Sequence, residues 1–219
     1  MIYPPSKSVP ILSGFLLFFL SVMTLADMED SLTPVADYSS PKGQSLQQKY
    51  SANLVRALQD ITKVYSAGSI RPLTMKESQV GGAGFWKNPA KFGTDNRYLG
   101  VMLMVLKPQY VFGDDRNGHV ASVLDKYGKT ILETLTRELT GINDPAVDGV
   151  AICIIWGNNI NGPPAKTGQE GMALFLAKSD VILYKNFKLT IQNLVNGNDL
   201  FLFNGGVELE NLTQFILEA

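Results

Sequence analysis

Residues 149–177 read GVAICIIWGNNINGPPAKTGQEGMALFLA, two apolar runs separated by a tract of Asn, Gly and Pro. The runs at 149–156 and 171–177 have the length of buried strands. Between them, Asn and Gly accept left-handed backbone and Pro fixes φ, so the tract forces a reversal. The spacing predicts an antiparallel hairpin with a long tip. Both runs are continuously rather than alternately apolar. Such strands need cover on two sides, from helices on both faces or from a partner chain.

Working towards the N-terminus, Val120, Val123, Leu124, Tyr127, Ile131, Leu135 and Leu139 form one stripe, with Asp125, Lys126, Lys129, Glu133 and Arg137 outside it. That period is helical, with Asn117 placed to cap the start and Gly141 and Asn143 to end it. Residues 98–106, YLGVMLMVL, are a further apolar run and predict a strand buried on both faces. Leu46, Tyr50, Leu54, Leu58, Ile61 and Tyr65 mark an earlier amphipathic helix, with Ser45 as its expected cap and Gly68 as its stop. Residues 67–95, rich in Gly and Pro, read as a long irregular connection.

Towards the C-terminus, residues 179–197 lack a clean two-residue alternation. They favour a helix capped by Ser179-Asp180 through Asn186 and a short helical turn from Thr190 to Gly197, with a hairpin over Val181 to Ile191 as the alternative. Leu200 to Phe203 reads as a short strand, and the last residues as an added strand or helical turn. The order predicts an α+β fold, helices packed on a mostly antiparallel sheet, as one domain over residues 45–219.

Ahead of that domain, residues 27–44 are polar with two prolines and read as a linker. Residues 9–26, VPILSGFLLFFLSVMTLA, follow Lys7, carry no charge and precede an acidic run. This is the pattern of a secretory signal peptide, with Asp27 as the expected mature start; retained, residues 1–26 would be a membrane anchor. Either way the domain is expected outside the cytoplasm, periplasmic or secreted, touching a membrane only through residues 9–26.

The chain has 219 residues and a net charge of −1, with 19 basic against 20 acidic residues. It lacks the basic footprint of a nucleic-acid binder. One cysteine, Cys153, excludes an intramolecular disulfide, and its apolar flanks predict an inert, packed thiol. One histidine, His119, excludes a His-rich zinc site. Asp114, Asp115 and His119 make the most polar cluster, a weak candidate for acid–base catalysis. The same residues also suit a helix N-terminus, where acids complement the macrodipole. Calcium-loop, phosphate-loop and nucleophile-elbow patterns do not fit, and no cofactor or metal is expected.

Binding residues are expected at Phe85 and Trp86, an aromatic pair among glycines, and at Trp156, Asn159 and Asn161, around the hairpin tip. The functional expectation is an exported, non-catalytic domain that binds an envelope or secreted protein, or another copy of itself. The alternatives are an extracytoplasmic hydrolase using His119 with Asp114 or Asp115, and a small-ligand carrier with an apolar pocket between sheet and helix.

Overall fold

A computed structural model describes residues 28–65, 69–77, 81–106, 115–157, 169–204 and 213–216. The apolar segment 9–26, Asp114, Asn159 and Asn161 lie outside these residues. No described helix is long and apolar enough to cross a membrane.

The fold is α+β, helices on a seven-stranded, mostly antiparallel sheet. Its centre is the expected hairpin, β4 (Gly149–Gly157) against β5 (Gln169–Ala177), in register from Gly149↔Ala177 to Gly157↔Gln169. β3 (Tyr98–Val105) joins β4 in the sheet's one parallel pairing among the described strands. β6 (Asp199–Asn204) and β7 (Thr213–Phe215) extend the other side. Residues 67–95 were expected to be irregular. They instead contain β1 (Ile70–Pro72) and β2 (Ala83–Trp86), which share one edge of β3 end to end. Strands this short carry too little periodicity to stand out among glycines and prolines.

Helix α1 (Pro41–Val64) begins earlier than the apolar stripe implies. Ser40, not Ser45, is its cap: Oγ of Ser40 accepts from the Gly43 amide at 3.2 Å, with Pro41 following. The preceding stretch is no free linker. Leu32 bridges to Ala83, Met28 and Tyr38 are buried, and the Tyr38 hydroxyl donates to Gln47 at 2.9 Å. A β-carbon at Gly43 would stand 2.7 Å from the Tyr38 ring. Close approach therefore explains a glycine that reads as loop.

The next helix runs as α2 (Arg116–Val123), a π turn at Leu124–Gly128, and α3 (Lys129–Ile142). Asp115 rather than Asn117 caps it, accepting from the Gly118 amide at 2.8 Å. Left-handed Asn143 closes it. After β5 come α4 (Lys178–Lys185) and α5 (Ile191–Asn196). The expected cap at Ser179-Asp180 is not formed, whereas Thr190, where the second turn was expected to begin, caps α5 through the Asn193 amide.

All these helices contribute to one core, with Leu58, Tyr127, Ile131, Leu135, Val181 and Leu194 packed on Leu99, Ile152, Ile154, Leu174 and Leu202. No described helix joins the cluster on the opposite sheet face, which holds Tyr98, Met102, Cys153, Phe175, Phe201 and Phe203. There the sheet is clothed by its own aromatics. Trp86 lies across Gly100 and Phe203 across Gly171, where an added β-carbon would meet each ring at 2.3 Å. Phe175 packs edge-on against Tyr98 and Phe201, with centroids 5.5 and 6.1 Å apart.

Candidate functional site

Two places draw chemistry together: a buried polar cluster at the end of the hairpin and a groove between α3 and α4.

The cluster is built by register. Trp156 and Glu170 are opposed across β4 and β5, both pointing to the helix face, and α2 lays His119 over them. Nδ1 of His119 stands 3.0 Å from Oε2 of Glu170, and Nε1 of Trp156 donates to the same oxygen at 2.9 Å. Nε of Arg116 is 3.5 Å from Oε1. Glu170 is only 4 % exposed, so these donors replace the water it has lost. A carboxylate bonded in this way fixes the tilt of the imidazole, as an orienting acid does for a base. Sequence reading picked out His119 and Trp156 but missed Glu170, which sits alone in a polar tip. The only signal for it was a carboxylate directly opposite a tryptophan in the hairpin register.

The acidic partner expected for His119 was Asp114 or Asp115. Asp114 lies outside the described residues, and Asp115 is committed to its helix cap. Trp156 is 2 % exposed and points inward rather than out at the tip. Phe85 is also wholly buried, on the helix side of β2, while its amide donates to the Tyr38 hydroxyl oxygen at 2.8 Å. It acts as the plug of its segment. Trp86, half-buried on the other face, keeps an indole N–H with no partner among the described residues. Burial pushes the Cys153 thiol far up, as an inert packed thiol requires. Among the described residues, no group of three or more His, Cys, Asp or Glu is placed to hold a metal ion.

The groove has a volume of about 630 Å³ and is lined from α3 by Lys129, Glu133, Thr136 and Arg137, and from the α4 side by Tyr184 and Phe187. Lys129 and Tyr184 also border a second hollow of about 410 Å³ that continues beside the π turn to Gln192. Burial raises the Tyr184 pKa, and the Glu133 charge adds to that. The phenol therefore stays neutral. This concavity lies between helices, whereas a carrier pocket was expected between helix and sheet. Sequence reading did not nominate any of its residues as a site.

Comparison with protein-family models, curated proteins and solved structures returned no match.

Proposed function

We propose that the protein is an exported, non-catalytic α+β domain that works by binding another protein of the cell envelope or extracellular space. One observation carries this reading. Ile182, Leu183, Phe187 and Ile191 are 44, 37, 97 and 36 % exposed, four large apolar side chains crowded into ten residues at the α4–α5 corner. Apolar groups concentrated in this way mark contact surfaces. Of the acid–base candidates, Asp115 is spent on a helix cap and is not the carboxylate that meets His119. Export rests on the uncharged stretch 9–26.

The contact surface in this reading is the α4–α5 corner, with Trp86 as a separate second point. Tagged full-length protein is cross-linked in its native cells and the bound partner quantified. The double variant Ile182→Ser, Ile191→Ser is expected to lose the partner while melting with the wild type. Undiminished capture would remove the corner from the interface. Self-association would appear as a dimer that the same variant dissolves.

A further inference from the structure

Helix α4 ends in an unusual way. The Lys188 amide bonds to the Leu183 carbonyl and the Phe187 amide to the Tyr184 carbonyl, each at 2.9 Å. This is the Schellman termination, whose left-handed position is normally filled by glycine. Here that residue is Phe187, with φ at 58°. A β-carbon in left-handed backbone is strained, and the strain is set beside a ring that is 97 % exposed. Neither folding nor packing gains from a phenylalanine at this position.

The ring stands at the mouth of the groove between α3 and α4. Thr136, 6 % exposed, also lines the groove. The rim carries Lys129, Arg137 and Lys185 against Glu133. Arg137 is engaged by Asp60, and among the described residues Lys185 reaches only the Thr140 hydroxyl, at 3.2 Å. Lys129 has no ion pair among the described residues. Two lysine ammoniums are thus left to meet an anion. The π turn at Leu124–Gly128 directly precedes Lys129, and such turns recur beside binding sites.

We infer that this groove binds a small amphiphilic carboxylate, its apolar body between Tyr184, Leu189 and Phe187 and its head on Lys129 and Lys185. The volume is that of a small-molecule site. The inference does not require the protein partner proposed above, although Phe187 belongs to both surfaces.

The test is isothermal titration of the full-length protein with decanoate, naphthoate and, as an uncharged control, decanol. Saturable binding of decanoate or naphthoate at one site per chain is expected, and the better of the two tells whether the body is a chain or a ring. The double variant Lys129→Glu, Lys185→Glu should weaken the carboxylate roughly tenfold or more and leave decanol unchanged. Phe187→Gly should weaken both by about tenfold. Its melting temperature should be no lower than wild type, because glycine suits the backbone there. Absence of saturable binding would overturn the site, as would equal affinity for decanol or variants that bind like wild type. Cross-linked partner recovery in the lysine variant separates the two readings. A lost carboxylate with retained partner leaves the interaction surface standing.

Discussion

Glu170 shows how much one residue's setting departs from its sequence context. It follows a polar tract and would be read as a solvated turn residue, yet it is buried and holds three neighbours in place. Its charge is tolerable only because the donors converge, so removing one should be felt. Trp156→Phe keeps the ring bulk and deletes the indole N–H. It is expected to cost about 1–3 kcal/mol, the penalty for a buried acceptor losing its donor. Urea unfolding measures this, and an unchanged midpoint would mean that water or Arg116 takes over the bond. The same register explains why Trp156 was expected outside and is found inside. In a hairpin, neighbouring positions face opposite ways, and only the pairing sets which face meets the helices.

At the scale of elements, α1 and α3 are joined by a buried carboxylate on one helix and a guanidinium on the other. Glu138 is 4 % exposed and receives Nε and Nη2 of Arg56 at 3.0 and 2.8 Å, with the Asn53 amide at 2.9 Å. Burial opposes its ionisation, but the bonds from Arg56 and Asn53 outweigh it and hold the pKa below the usual carboxylate range. Arg56→Ala should therefore destabilise by about 1–3 kcal/mol, because it leaves that carboxylate short of donors. The double variant Arg56→Ala, Glu138→Ala should cost less than the two single changes summed, as read by denaturant midpoints. Additive losses would show that the pair does not act as a unit. The helix itself was evident from its stripe. This pairing was not, because nothing in either segment tells which helix neighbours which.

For the whole molecule, two carboxylates, one joining distant segments and one closing a local turn, make stability depend on acid. Asp144, in the turn between α3 and β4, accepts the Ala146 amide, the Tyr50 hydroxyl at the break in α1, and Lys49. These bonds hold its pKa at about 2, against an ordinary 3.8. Glu77 is held at about 2 against an ordinary 4.5, chiefly by hydrogen bonds from Arg71 on β1. Both are depressed in the folded state, so each favours folding above its ordinary pKa. That contribution is lost as the pH falls through the folded value. Melting temperature is accordingly expected to fall from about pH 4.5 to about pH 2. Asp144→Asn should flatten that slope and leave the curve above pH 5 parallel to wild type. An identical slope would exclude Asp144 as a source.

The amino-acid sequence by itself determined the hairpin, the long amphipathic helices, the packed cysteine and the α+β class. Each follows from a local property: an apolar period, a turn-forming tract, or apolar flanks. Tertiary structure decided the rest. It placed β1 and β2 beside β3, where the pairing energy comes from a strand tens of residues away rather than from their own short sequences. It turned Phe85 and Trp156 into the core and brought Glu170 to His119 across 51 positions of chain. The groove beside Phe187 arises where α3 and α4 meet, two segments that carry no shared motif. Periodicity reports which face of an element is buried. What that face meets is fixed only when the sheet order and helix packing close.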